Sequence, residues 1–110
     1  MNYLYLIFFI AINLFSFTAQ AWDGMITGKI QNIDVTQGQN YGFRISLVNT
    51  PPLCGSGHAW AYLNDTDSNY ETFVSVLLAA KLSDRSVTIY TNKETISGNN
   101  YCKIGYIVLN

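Results

Sequence analysis

Residues 68–82 read SNYETFVSVLLAAKL, and their place between runs of strand-like sequence decides the fold. Tyr70, Phe73, Val74, Leu77, Leu78 and Lys81 recur at helical spacing, which predicts a helix over 69–82. Ser68 and Glu71 stand three residues apart at its start, the spacing of a capping box in which hydroxyl and carboxylate each accept from a free backbone N–H. Ser83-Asp84-Arg85 ends the pattern.

Three extended segments precede this helix. Met25 to Val35 carries Ile26, Ile30, Ile33 and Val35 in loose alternation, with Gly28 as the expected bend or bulge. After a turn at Gln37-Gly38-Gln39-Asn40, the run Tyr41 to Val48 alternates cleanly. Tyr41, Phe43, Ile45 and Leu47 lie on one face, and Gly42, Arg44, Ser46 and Val48 on the other. A loop rich in Pro and Gly leads to His58–Leu63, a third strand with Trp60 and Tyr62 on one face. Beyond the helix, Ser86–Thr91 reads as a strand with Val87 and Ile89 inward. Asn92 to Asn100 reads as a polar loop around Gly98, and Tyr101–Leu109 as the last strand. Three strands, one helix and two strands is the order of the OB-fold, a five-stranded Greek-key barrel with its helix between strands three and four. An open meander with one helix packed across it has the same order.

The amino-terminal stretch is of a different kind. Residues 1–18 are nearly all apolar and uncharged, and Ala19-Gln20-Ala21 offers small residues at the spacing signal peptidase uses. Asn13 and Ser16 interrupt a run already short for a membrane span. The expectation is a secretory signal over 1–21 and a single domain over 22–110, secreted or periplasmic; an uncleaved anchor is the alternative. The formal net charge is -1. That argues against a nucleic-acid binder, which needs a basic surface to displace counterions, and supplies no polybasic patch for anionic lipid. Cys54 and Cys102 are the two cysteines. In an oxidising compartment an even pair most simply forms one disulfide, against the alternative of two separate buried thiols.

Catalytic chemistry has little to build on, and no enzyme activity or cofactor is expected. His58 is the single histidine, which excludes a metal site of several imidazoles. Gly55-Ser56-Gly57-His58 reads as a flexible loop leading into the third strand. Asp65 and Asp67 suit a helix N-terminus better than an oxygen-rich metal cage. Trp22, Tyr41, Trp60, Tyr62, Tyr70, Tyr90, Tyr101 and Tyr106 are more informative. A barrel of this size cannot enclose them all, and exposed rings beside hydroxyls and amides suit neutral polar ligands such as sugars. The helix is apolar on nearly all sides. Val76, Ala79 and Ala80 are therefore either a surface for a neighbouring subunit or small residues that tolerate exposure.

Asp23-Gly24-Met25-Ile26-Thr27-Gly28, the helix with Leu77 and Leu78, the strand Ser86-Val87-Thr88-Ile89-Tyr90, and Cys102 leading into Gly105-Tyr106-Ile107 resemble the B-subunit family of subtilase cytotoxin. They are also similar to a wider group of small exported bacterial proteins. The resemblance implies an OB-fold, a ring of five subunits, a toxin A-subunit-like partner and binding of sialylated cell-surface glycans. The family's sugar site uses an Asp and a Ser of the opening segment, which fall on Asp23 and Thr27. It also uses a Tyr at the end of the fourth strand, which falls on Thr91 with Tyr90 one residue before; a one-residue slip reverses faces. The implied ligand-binding set is Asp23, Thr27, Tyr90 and Thr91. The competing expectation is an exported single-domain structural or interaction protein without sugar affinity.

Overall fold

A computed structural model of the chain describes residues 21–110; residues 1–20, and with them all but the last residue of the expected leader, lie outside the described part. Five strands and one helix follow in the order β1 (Gly24–Val35), β2 (Phe43–Leu47), β3 (Ala61–Leu63), α1 (Tyr70–Leu82), β4 (Ser86–Ile96) and β5 (Asn99–Leu109). The strands are hydrogen-bonded in the order β1-β2-β3-β5-β4, and β4 returns to β1, so the sheet closes on itself. All pairings are antiparallel except β3 with β5, which meet through Tyr62 and Lys103. Among the described residues no helix is long and apolar enough to cross a membrane.

The alternation of β2 holds. Phe43, Ile45 and Leu47 are buried, and Arg44 and Ser46 are partly exposed. Val87 and Ile89 of β4 are fully enclosed. They meet Ile30, Leu53, Ala61, Leu63, Leu77 and Ile104 in one core. Burying aliphatic side chains of this kind contributes about 1.5–3 kcal/mol each. Cys54 and Cys102 are joined, tying the long loop before β3 to the inner face of β5.

Several local expectations are corrected. The bend in β1 does not fall at Gly28, which pairs regularly with Val87; the ladder with β2 is interrupted between Ile30 and Asn32. Tyr41 lies in a turn at positive φ, outside β2. The third strand is only Ala61–Leu63, so His58 and Trp60 belong to the loop before it. The expected loop over 92–100 is instead a continuous hairpin. β4 runs to Ile96, β5 starts at Asn99, and the turn residues Ser97 and Gly98 both have positive φ. Two such residues make the tight turn whose twist matches that of paired strands.

The capping box does not form. The residue flanking α1 is Asn69, in the left-handed region and with no side-chain cap. Asp67 organises the segment instead: its Oδ2 accepts from the Asn64 N–H at 2.8 Å, its carbonyl accepts from Tyr70 N–H, and its Oδ1 pairs with the Lys103 ammonium at 3.0 Å. On the helix itself Ala80 is fully buried, whereas Val76 is half-buried and Ala79 exposed. Ala80 therefore packs on the barrel and leaves the surface proposed for a neighbour. Leu78 and Leu82 take its place, 42% and 86% exposed.

Candidate functional site

The outer face of β1, β4 and β5 carries most of the residues picked out by the opening segment. Cross-strand register sets Met25, Tyr90 and Tyr106 in one row and Thr27, Thr88 and Val108 in the next. Directly paired residues share a face of the sheet. Tyr106 is 54% exposed and meets Tyr90 edge-on, with ring centroids 5.1 Å apart; the Trp22 ring lies 5.9 Å from that of Tyr90. Trp22 can sit there because β5 bulges. Tyr90 pairs with Tyr106 but Thr91 with Ile104, leaving Gly105 unpaired, and the Trp22 indole occupies the space where a Cβ on Gly105 would lie.

Thr27 is exposed, and its hydroxyl lies 2.7 Å from that of Thr88. Thr88 Oγ1 in turn accepts from the Asn110 side-chain amide at 3.2 Å. The amide nitrogen can only donate, so Thr88 accepts from it; between the two hydroxyls either oxygen can be the donor, and the exposed Thr27 hydroxyl keeps a further hydrogen-bond position for a ligand. Asp23 lies in the bend just before β1 and is tied to β4: its Oδ2 accepts from the Lys93 backbone N–H at 2.8 Å. At about 3.3 Å per strand residue, Asp23 and Thr27 are roughly 13 Å apart along β1. A ligand touching both therefore extends beyond one pyranose ring, with Met25 and Tyr90 in between. Thr91 is not on this face. It is fully buried, and its hydroxyl donates to the Leu53 carbonyl. Of the two alternatives for the aromatic position, Tyr90 is the outward one.

A second cluster, from the turn before β2, the loop before β3 and strands β3 and β5, groups aromatic residues that the sequence left unassigned. Tyr41 and Tyr101 stack with centroids 4.1 Å apart, and the buried Tyr62 lies edge-on beneath Tyr41 at 4.8 Å. Trp60 and His58 continue the group, 4.9 Å apart, and the Arg44 guanidinium lies 4.6 Å over the Trp60 ring. The Tyr62 hydroxyl donates to Glu94 Oε2 at 3.0 Å, and burial, with this bond, raises its pKa well above that of a free phenol. At the end of the cluster a cavity of about 200 Å³ opens beside the disulfide, lined by Ser56, His58, Lys93, Asn100 and Tyr101. Its sequence signal was the disulfide itself: once Cys54 meets Cys102, Ser56 and His58 lie against Asn100 and Tyr101.

Compared with models of known protein families, with curated proteins and with solved structures, the chain matches none.

Proposed function

We propose that the chain is an exported glycan-binding module, secreted or periplasmic, with a barrel of OB type, and that its sugar face is the outer surface of β1, β4 and β5. The observation that carries this reading is the group of half-exposed rings Trp22, Tyr90 and Tyr106 beside the exposed Thr27 hydroxyl. The rings offer flat apolar surface to the C–H face of a sugar. The exposed Thr27 hydroxyl, which Thr88 can serve as either donor or acceptor, is free to donate to the carboxylate of a sialylated glycan, and hydrogen bonds to ionised groups are roughly twice as strong as neutral ones. Asp23 accepts from hydroxyls or amides farther along the ligand. In the reading drawn from the toxin B-subunit resemblance, the chain is the cell-targeting part of an assembly with an A-subunit-like partner.

A glycan array probed with the purified protein tests the proposal. Thr27→Ala is expected to lose one charge-assisted bond, about 1.5–3 kcal/mol, or at least tenfold in affinity, with the fold intact. No binding to any glycan by the unaltered protein, or equal binding by Thr27→Ala, overturns it.

A single shallow face binds weakly, and several on one ring bind usefully through avidity. The surface for such a ring is the outward side of α1, where Leu78, Ala79 and Leu82 are exposed, which leaves the Tyr106 ring to the sugar face. Light scattering is expected to give a multiple of the protomer mass, five if the resemblance holds. A monomer at high micromolar concentration removes the ring from the proposal and favours the alternative, an exported interaction protein that presents this helix face to another partner.

A further inference from the structure

The cavity beside the disulfide has a different chemical character from the β1–β4–β5 face. Lys93 Nζ donates to Ser56 Oγ at 2.7 Å, and no carboxylate lies within ion-pair distance of it among the described residues. The nearby Asp23 carboxylate is engaged by the Lys93 backbone N–H. An ammonium carries three donors, so two remain for a ligand. His58 Nε2 is fixed by the Asn100 carbonyl at 3.0 Å, which holds the imidazole ring nearly parallel to Tyr101, 24° apart in plane. A cavity of about 200 Å³ holds an end group, not a whole oligosaccharide. The flat rings on its rim take whatever the end group is attached to.

We propose that this cavity and the rings His58 and Tyr101 that line it form a second ligand site, for a sugar bearing a carboxylate, independent of the β1–β4–β5 face. The carboxylate enters beside Lys93 and Ser56, and the sugar ring lies against the aromatic rim. A nucleic-acid strand would also bring rings and negative charge. It needs a continuous basic track, however, and on this surface the Lys103 ammonium is already neutralised by Asp67 and Glu94.

The test is a titration of the isotope-labelled purified protein, followed by amide NMR shifts, with glucuronic acid, N-acetylneuraminic acid and the methyl ester of each. The expected result is that the free acids shift Ser56, Gly57, Asn100 and Tyr101, and that the esters, equal in shape but uncharged, do so at least tenfold more weakly. Lys93→Gln is expected to weaken the acids at least tenfold, Lys93→Arg to restore part of the binding, and Thr27→Ala to leave these shifts unchanged. Ser56→Ala provides a second variant should Lys93→Gln fail to fold. Shifts confined to the Thr27 face, equal response to acid and ester, undiminished binding by a folded Lys93→Gln or Ser56→Ala, or stronger binding of a short oligothymidylate than of either sugar would each overturn the proposal. Because Thr27→Ala and Lys93→Gln report on different faces, the failure of one site is read separately from the failure of the other.

Discussion

Thr27 and Thr91 carry the same side chain to opposite sides of the sheet. The first ends a hydrogen-bond chain that faces solvent; the second spans the interior to the Leu53 carbonyl. Thr91→Val keeps the shape but removes the donor and leaves a buried carbonyl without its partner. The expected cost is about 1–3 kcal/mol, read as a lowered urea midpoint with an unchanged slope. Thr27→Ala, by contrast, is expected to change stability by no more than about 0.5 kcal/mol, as exposed sites generally do. Tyr62 adds a dependence on pH. Its pKa is raised in the folded state, first by burial and then by Glu94, so the folded form holds the phenol proton more tightly than the unfolded chain does. Its contribution is complete below about pH 10, the ordinary phenol value, and is lost as pH climbs toward the folded-state value. Urea unfolding between pH 8 and 11 is expected to show stability falling at the alkaline end, and less steeply in Tyr62→Phe. An identical alkaline slope in that variant would show that other groups cause the fall.

At the scale of elements, the start of α1 separates a motif from the interaction it names. Ser68 and Glu71 have capping-box spacing, yet Asn69 at positive φ directs the chain so that no side chain caps the helix. Asp67 does the organising work from outside the helix, through the Asn64 N–H and Lys103. Ser68→Ala is therefore expected to be neutral within about 0.5 kcal/mol, whereas Asp67→Ala should cost about 1–3 kcal/mol. Thermal melts of the two variants measure the contrast, and equal losses would restore the capping box. The β4–β5 hairpin makes a related point. Lys93, Glu94 and Thr95 are polar because that part of the hairpin is half solvated, so a run read as a loop is in fact paired strand. The turn signal was only two residues, Ser97 and Gly98, at the far end.

For the molecule as a whole, closure of the sheet and the single disulfide do related jobs. Closure leaves β1 and β4 paired with each other, so neither is an open edge that could recruit another chain. The disulfide, with 48 residues of sequence separation, removes about 4 kcal/mol of unfolded-state freedom in the chain-entropy model. Domains of this size hold roughly 5–15 kcal/mol in total. Replacing both cysteines by Ala is expected to lower the melting temperature by more than 10 °C and to loosen the cavity at Ser56 and Lys93, which the bond holds against β5. A double variant that melts with the unaltered protein would show that the barrel core suffices alone.

The sequence by itself determined the β-rich class, the element order, the inward face of β2 and β4, the helix and the partnership of Cys54 with Cys102. Each follows from local periodicity or from the pairing of two like residues. Of the candidate site residues it brought Thr27 and Tyr90 to one sheet face, because β-strand geometry alternates without reference to partners. The inward reading of Val87 and Ile89 already sends Thr91 inward and Tyr90 outward by alternation; only the tertiary structure supplied the Leu53 carbonyl that receives the buried Thr91 hydroxyl. The same is true of Trp22 over Gly105 and of Lys93 beside Ser56. These contacts join residues distant in the chain, through a bulge in β5 and through the disulfide, and no local pattern records where two strands slip by one residue or which loops a long closure brings together.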